Sequence, residues 1–126
     1  MPQNKIGLGK LGERLARQYL EKRGLKIKTS NYRCPYGEID LIMEEGESLV
    51  FVEVRTRRGD DFGSPQESIT SAKSVHLIQA AESYRQSLSN PNIHWRIDVV
   101  AVKLDRGGKL TRIEHIANAV TGDRQL

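Results

Sequence analysis

The residues best suited to chemistry are two carboxylates, Asp40 and Glu53, in the stretch from Gly37 to Arg58. On both sides of Gly46-Glu47, polar and apolar side chains alternate with the period of two that indicates β-strands. Glycine at the first central position is typical of a two-residue type II′ hairpin turn. With Gly46 and Glu47 as that turn, we expect Asp40 to lie directly opposite Glu53.

Facing carboxylates on paired strands have Cβ atoms about 4.5–5.5 Å apart and repel each other. A divalent metal ion between Asp40 and Glu53 would remove this repulsion, and Mg²⁺ is usually held by one or two carboxylates with water and substrate phosphate oxygens. In the alternative, the face is solvated and Arg55 and Arg57 neutralise the acids. The same register places Glu38 opposite Arg55. Ile42 and Phe51 share this face, which argues against its full exposure.

Basic residues follow the hairpin directly. Arg57 and Arg58 precede the glycine-containing segment 59–65, which is typical of a loop and suited to contact a phosphate backbone. An excess of 20 Lys and Arg over 16 Asp and Glu gives a formal net charge of +4, which favours a polyanionic partner. The 126 residues, 37% of them hydrophobic, predict one domain with a core over roughly 7–117 and a polar tail at 118–126.

Several classes of protein are disfavoured. The single cysteine, Cys34, cannot form an intramolecular disulfide, and the sequence has no Cys/His spacing typical of zinc. The first ten residues lack the apolar segment of a signal peptide, and no run approaches the roughly 18 apolar residues of a membrane span. We therefore expect a soluble protein in a reduced, cytoplasmic setting.

An amphipathic helix is predicted over roughly residues 7–23, and Gly24 is typical of its C-terminus. Glu13 borders the apolar stripe of this helix, so it is a candidate to join the carboxylate pair. A surface ion pair of Glu13 with Arg17, one helical turn away, is the alternative.

A second helix is predicted over about residues 66–88. Its expected buried side comprises Ala72, Leu77, Ile78, Ala81, Tyr84 and Leu88. Lys73 and His76 fall outside this side, and His76 is interpreted as a surface histidine because no partner occurs at a useful spacing.

Three further strands and a connector complete the predicted elements: a short strand at 25–28, a turn-rich connector at 31–37, an apolar strand at 95–102 with Trp95 in the core, and a strand at 110–116. Asp98 is interpreted as a further acidic ligand or as a partner of Arg96 or Arg112. The order of helix, three strands, helix and two strands indicates a layered α/β or α+β domain.

Four motifs carry a resemblance to known proteins. The element order and the acids of GEIDLI and FVEVRTR resemble the restriction-endonuclease-like, PD-(D/E)XK nuclease fold, whose αβββαβ core has metal ligands on its second and third strands. Glu13, in the segment 12–16, is similar to the helix glutamate of the archaeal Holliday junction resolvase branch. With FGSPQESIT and WRIDVVAV, these motifs resemble the YraN-like family of uncharacterised bacterial proteins over roughly residues 7–120.

The resemblance implies an α/β fold with a mixed sheet flanked by helices, and Mg²⁺ or Mn²⁺ as cofactor. By position, Asp40 and Glu53 would ligate the metal, while Glu13 would help to ligate it or orient a water. Arg55 occupies the place of a lysine; arginine binds phosphate but is a poor proton acceptor. The implied activity is metal-dependent endonuclease cleavage of structured or branched DNA. The candidate nucleic-acid contacts are Arg55, Arg57, Arg58, Arg14 and Lys73.

Two other functions fit the same residues. A catalytically inactive DNA-binding module of this fold would keep the basic contacts but lack turnover, because of Arg55. A protein-interaction domain would use its charges only for solubility. A homodimer is compatible with the nuclease hypothesis, since cutting both strands of a junction needs two sites.

Overall fold

The computed structural model describes residues 5–59 and 71–120 of the chain. Within those residues, two helices and five strands follow in the order that the sequence predicts. They are α1 (Lys5–Lys22), β1 (Lys26–Cys34), β2 (Gly37–Glu45), β3 (Ser48–Arg58), α2 (Ser71–Gln86), β4 (Trp95–Leu104) and β5 (Leu110–Val120). No helix in the part of the chain described is long and apolar enough to cross a membrane.

The strands form one mixed sheet in the order β1-β2-β3-β4-β5. All neighbours are antiparallel except β3 and β4, which are parallel. A parallel pair needs a long crossover connection, and α2 lies within the connection between these two strands. α1 packs with Val50 and Val52 on one face of the sheet, whereas α2 packs with Phe51 and Ile97 on the other. The predicted α/β class, with helices flanking a mixed sheet, is confirmed.

β2 and β3 form the predicted hairpin. Five consecutive residue pairs, ending at Leu41 and Val52, follow the register of a two-residue turn. Gly46 has a φ of 59°, as the first central residue of a type II′ turn requires, while the φ of Glu47 is not positive. The turn and the register predicted from it are therefore confirmed over this part of the hairpin.

α1 ends as the sequence predicts. Gly24 has a φ of 98°, and its N–H donates to the Glu21 carbonyl at 3.1 Å. The N–H of Leu25 donates to the Leu20 carbonyl, also at 3.1 Å. These two bonds form a Schellman motif, which satisfies carbonyl groups that have no partner inside the helix.

Ile39 and Ala72 correct the predicted core. Regular alternation along β2 would place Ile39 on the α1 side with Leu41. Ile39 packs instead on the α2 side with Ile42, in the part of β2 that lies beyond its backbone pairing with β3. Ala72 is exposed in the first turn of α2, where the neighbouring Lys73 is the residue that contacts the sheet. The buried positions of α2 are Leu77, Ala80 and Ala81, while Ile78, Tyr84 and Leu88 are partly buried against the same cluster. His76 is exposed, as expected.

Element boundaries also differ from the prediction. β1 continues to Cys34, so the expected connector at 31–37 is mostly strand; pairing with β2 outweighs the weak strand preference of its polar residues. β5 extends to Val120, which is buried. Trp95 is partly buried and meets the Phe51 ring edge to face, with centroids 5.8 Å apart. The predicted start of the second helix at 66–70 and the motif FGSPQESIT lie outside the described residues.

Candidate functional site

The two strands of the hairpin separate at Asp40. Backbone pairing of β2 with β3 ends at Leu41 and Val52, one pair before Asp40 and Glu53. Beyond that point Asp40 bonds β3 through its side chain, since its Oδ2 accepts a hydrogen bond from the Val54 N–H at 2.8 Å. Backbone pairing of Asp40 with Glu53 was therefore the wrong expectation. Their carboxyl groups nevertheless lie within hydrogen-bonding distance of each other.

Glu53 is almost fully buried, with 4% of its surface exposed. Its position in β3, two residues after Phe51, places it on the α2 side of the sheet. Glu53 Oε2 lies 3.3 Å from Arg55 Nη2 and 3.3 Å from Lys73 Nζ, in the first turn of α2. Cations from two different elements thus neutralise a carboxylate that would be costly to bury alone. Sequence reasoning placed Lys73 only among the surface contacts to nucleic acid.

The acidity of Asp40 is strongly perturbed. Burial, and after it the negative charge of Glu53, raises the pKa of Asp40 from 3.8 to about 8. The hydrogen bond from the Val54 N–H opposes this shift, while the hydrogen bond with Glu53 and the charge of Glu13 add to it. Near neutral pH the Asp40 carboxyl group therefore retains its proton.

Glu13 reaches this region through Asn31, a residue that sequence reasoning missed as part of the site. Asn31 Nδ2 donates to Glu13 Oε1 at 3.2 Å and to Glu38 Oε1 at 2.9 Å. Asn31 has a φ of 52°, a left-handed conformation that asparagine adopts more readily than most residues. The available signal was an asparagine at the start of the predicted turn-rich connector at 31–37. The predicted pairing of Glu38 with Arg55 is wrong, because backbone pairing of β2 with β3 ends at Leu41. Glu38 contacts Asn31 instead.

Close packing of α1 on β3 fixes the position of Glu13. The preceding residue, Gly12, is buried, and a Cβ atom there would lie 1.8 Å from Thr56 Oγ1. Only glycine permits this approach without a shift of the helix or the strand. Arg17 pairs with Glu21, where Arg17 Nε lies 3.3 Å from the Oε2 atom. The alternative surface pair between Glu13 and Arg17 is therefore wrong.

The predicted metal ligands are brought together in part. Residues 5–59 and 71–120 contain no group of three or more Asp, Glu, His or Cys side chains arranged to hold a metal ion. Glu13 acts on Asp40 through its charge and is held by Asn31, so it lies outside the Asp40–Glu53 pair. Two carboxylates are nevertheless the number by which proteins usually hold Mg²⁺. Metal binding by these residues stays a prediction.

The predicted phosphate contacts lie on different surfaces. Arg55 and the exposed Arg57 follow Glu53 on the same face of β3. Arg58 projects to the opposite face, since side chains alternate along the strand. Arg14 is exposed on α1, where it lines a separate cleft of about 460 Å³. Arg55 and Arg57 are thus the two arginines of this set that share a face with the acidic pair.

A further buried carboxylate, Asp98, has hydrogen-bond partners on both of its oxygen atoms. Its Oδ1 and Oδ2 lie 3.0 and 3.2 Å from the donating Arg96 Nε, and Oδ2 lies 2.8 Å from His115 Nε2. The Asn118 N–H donates to Oδ1 at 2.8 Å. Burial would raise the pKa of Asp98, but hydrogen bonds from His115 and Arg96 lower it below 3.8 overall. The predicted partnership with Arg96 is confirmed, while Arg112 pairs instead with Glu114 at 3.2 Å.

Fold and site together define a mixed α/β protein with a buried carboxylate pair where two central strands separate. The family description "Uncharacterised protein family UPF0102" matches residues 12–102. A UPF0102 protein of Pelotomaculum thermopropionicum is 45% identical over 112 residues, which cover 89% of this chain and 93% of that protein. A UPF0102 protein of Nitrosococcus oceani is 49% identical over 100 residues, covering 79% and 81%. The chain therefore belongs to the UPF0102 family, which confirms the predicted YraN-like membership.

Proposed function

We propose that this protein is a metal-dependent endonuclease that hydrolyses phosphodiester bonds in structured or branched DNA. The observation that carries the proposal is the Asp40–Glu53 pair, two carboxyl groups within hydrogen-bonding distance, with Arg55 and Lys73 each 3.3 Å from Glu53. Phosphoryl transfer needs anionic ligands for a metal and cations for the phosphate. The site supplies both types of group in one place.

Asp40 and Glu53 are the residues that would hold Mg²⁺ or Mn²⁺. The chemistry of the pair fits a divalent cation, because burial and the charge of Glu53 otherwise keep Asp40 protonated. When bound, the metal would lower the pKa of a coordinated water and neutralise charge developing on the phosphate. Glu13 would act from outside the pair, with its carboxylate oriented by Asn31.

Two cations of the chain divide the remaining work. Lys73 places a compact, flexible ammonium group beside Glu53, where it can hold the attacking water or a phosphate oxygen. Arg55 provides a planar fork that matches phosphate oxygens. In the sequence, Arg55 occupies the place of a lysine, which is a difficulty for hydrolysis. Lys73 of α2 places a lysine beside the same carboxylate, Glu53. Neutralisation of Glu53 by a metal would weaken its ion pairs with both cations and make them more available to the substrate.

The order of elements supports a restriction-endonuclease-like fold of the resolvase branch. Helix, three strands, helix and strand is the αβββαβ plan that the resemblance implies, and Asp40 and Glu53 lie on the second and third strands. A cytoplasmic setting fits the single free Cys34. A homodimer would provide the two sites needed to cut both strands of a junction.

The test is a cleavage assay with the full chain on four-way junction, flapped, duplex and single-stranded substrates of DNA and RNA. We expect product from branched DNA with Mg²⁺ or Mn²⁺ and none with EDTA. Asp40→Asn should abolish the product. Glu47→Gln, which removes an exposed acid at the hairpin turn, is the matched control and should retain it. Absence of metal-dependent product across all substrates would refute the proposal.

A DNA-binding module without turnover is the second candidate. Its supporting observation is that Glu53 already has two cationic partners and Asp40 holds a proton near neutral pH, so the pair is balanced without a metal. This candidate predicts salt-dependent DNA binding that persists in Asp40→Asn and Glu53→Gln. Arg55→Lys separates the two candidates, because cleavage that arises only in this variant would mean that the natural chain binds without turnover.

A further inference from the structure

Asn31 holds two carboxylates that belong to different elements of the fold. Its Nδ2 donates to Glu13 Oε1 of α1 at 3.2 Å and to Glu38 Oε1 of β2 at 2.9 Å. The amide nitrogen of asparagine carries two N–H donors, so these two hydrogen bonds occupy both of them. Each acceptor is a carboxylate oxygen, and only the nitrogen side of the amide fits such a place. Glu13, Asn31 and Glu38 thus form an amide bridge between α1, β1 and β2.

The amide bridge lies next to the acidic pair of Asp40 and Glu53. In the register of β1 with β2, the residue pairs on either side of Asn31 place it opposite Asp40. Glu38 precedes Asp40 by two residues on the same strand. The negative charge of Glu13 acts on the Asp40 carboxyl group. The two acids of the bridge are therefore close to the proposed metal ligands without belonging to them.

The backbone at Asn31 restricts which residue types fit there. Its φ of 52° is left-handed, although the residue lies inside β1. This conformation is unfavourable for residues with a Cβ atom, and asparagine and aspartate tolerate it best. An ionised aspartate has no N–H donor, and glycine has the backbone freedom but no amide. Asparagine combines the tolerated backbone with two donors for two carboxylates.

A neutral amide holds the two acids without cancelling their charges. Like charges repel, so Glu13 and Glu38 would separate into solvent without a group between them. Glu38 has 37% of its side chain exposed, and its ion pair with Arg33, at 4.0 Å, is weakened by solvent because the Arg33 side chain is 80% exposed. Glu53, in contrast, is paired with two cations. The bridge therefore keeps negative charge on one side of the acidic pair.

We infer that Asn31 is a positioning residue, which keeps the charges of Glu13 and Glu38 beside the acidic pair and thereby strengthens its binding of a divalent cation. The inference rests on the proposed function, which places Mg²⁺ or Mn²⁺ at Asp40 and Glu53. Groups that lie beyond the ligands of a metal orient those ligands and tune the affinity. Glu38 and Asn31 were not among the site residues expected from the sequence, because the bridge depends on the packing of α1 against β1 and β2.

The test measures binding of Mn²⁺ alone to the full chain, from the electron paramagnetic resonance signal of free Mn²⁺. Asn31→Gly removes the amide and keeps the left-handed backbone, since glycine adopts a positive φ readily. It should weaken Mn²⁺ binding about tenfold. The loss should be smaller at about 1 M salt, because salt screens the charges of the bridge. Asp40→Asn, which removes a proposed ligand, should abolish saturable binding.

Asn118→Gly is the matched control. Within residues 5–59 and 71–120, Asn118 is the other non-glycine residue with a positive φ, also 52°, and it lies in β5. Its backbone N–H, which glycine retains, is the group that donates to Asp98. This variant should bind Mn²⁺ within twofold of wild type. The melting temperatures of both glycine variants show that each protein is folded.

Glu38→Gln gives a second readout, because glutamine keeps the size of glutamate and loses its charge. In the wild-type chain this change should weaken Mn²⁺ binding about fivefold. In the Asn31→Gly background it should weaken binding less than twofold, since Glu38 is no longer held beside the acidic pair. A residue that only supports folding would not make the effect of Glu38→Gln depend on it.

The possible outcomes separate this inference from the proposed function. If Asn31→Gly and Asn118→Gly both bind Mn²⁺ as tightly as wild type while Asp40→Asn does not bind it, the inference is wrong and the proposed metal site stands. If the losses from Asn31→Gly and Glu38→Gln simply add, Asn31 does not position Glu38 and the inference is wrong. If wild type binds Mn²⁺ with the expected dependence on Asn31 but cleaves no substrate, the inference stands and the nuclease is wrong. If wild type neither binds Mn²⁺ nor cleaves, both are wrong.

Discussion

Replacement of Asp40 by asparagine should stabilise the protein while it abolishes cleavage. Asparagine has the shape of the protonated aspartate, and its Oδ1 can accept the hydrogen bond from the Val54 N–H that Asp40 accepts at 2.8 Å. It cannot carry the negative charge that burial and Glu53 disfavour. We therefore expect a gain in free energy of unfolding that depends on pH, in the direction set by the raised pKa of Asp40.

The sign and size of the gain follow from that pKa. Below pH 3.8 the Asp40 carboxyl is protonated in both folded and unfolded protein, so the stability of the protonated form is fully present. As pH rises toward about 8, the unfolded chain is ionised while the folded chain still holds its proton, and stability is lost by up to about 1.4 kcal/mol per pH unit. At pH 8 the loss in free energy of unfolding could reach about 5 kcal/mol. Relaxation around the buried charge should reduce this loss to about 2–3 kcal/mol.

The assay is urea denaturation of wild type and Asp40→Asn between pH 4 and pH 9, without divalent metal. The difference in free energy of unfolding should be smallest at pH 4 and grow to about 2–3 kcal/mol at pH 8, or about 6–12 °C in melting temperature. Glu47→Gln is the control and should stay within about 0.5 kcal/mol of wild type at every pH. A difference that is independent of pH, or an Asp40→Asn variant less stable than wild type at pH 8, would refute the reasoning.

Three further predictions concern the groups that support the site. Lys73→Gln should lower the cleavage rate at least tenfold, and Lys73→Arg should restore DNA binding more than rate, because arginine keeps the charge but lacks the compact ammonium group; single-turnover kinetics on a junction would show this. Gly12→Ala should destabilise the protein by about 1–3 kcal/mol in urea, since the new Cβ would overlap Thr56, whereas Gly9→Ala in the same helix has open space and should stabilise it by up to about 1 kcal/mol. Asp98→Asn should cost about 2–4 kcal/mol at pH 7 by thermal denaturation; because the pKa of Asp98 is lowered on folding, its contribution is present above pH 3.8 and the loss should shrink as pH falls below that value.

The hairpin was predictable because its signals are local. A glycine at the first position of the turn fixes the register, and alternation then fixes which side chains share a face. Those two signals were enough to predict that Asp40 and Glu53 lie close together. Both signals predict that backbone pairing continues to Asp40 and Glu53, whereas it ends at Leu41 and Val52. Neither signal shows that the Asp40 side chain accepts the hydrogen bond from the Val54 N–H instead.

The partners of the carboxylates were not predictable, because they depend on packing between distant segments. Lys73 reaches Glu53 only through the placement of α2 against the sheet. His115 reaches Asp98 across a strand pair whose register shifts between Ile97 and Val99, so counting from the turn does not give the pairing. Asn31 reaches Glu13 from a left-handed position within a strand, where periodicity predicts no special side chain.

The charges of the site explain why a metal and a nucleic acid would bind together. Without metal, Asp40 is neutral near pH 7, and the single charge of Glu53 faces the two positive charges of Arg55 and Lys73. A divalent cation that displaces the Asp40 proton adds more positive charge than the newly ionised carboxylate removes. Metal binding would therefore leave the site more attractive to a phosphodiester, and a bound phosphodiester would strengthen metal binding in return, since such coupling is reciprocal. Arg55, whose place in the sequence weakened the case for hydrolysis, pairs with Glu53 in this arrangement, and under the proposed function it would contact the phosphate once a metal neutralised Glu53.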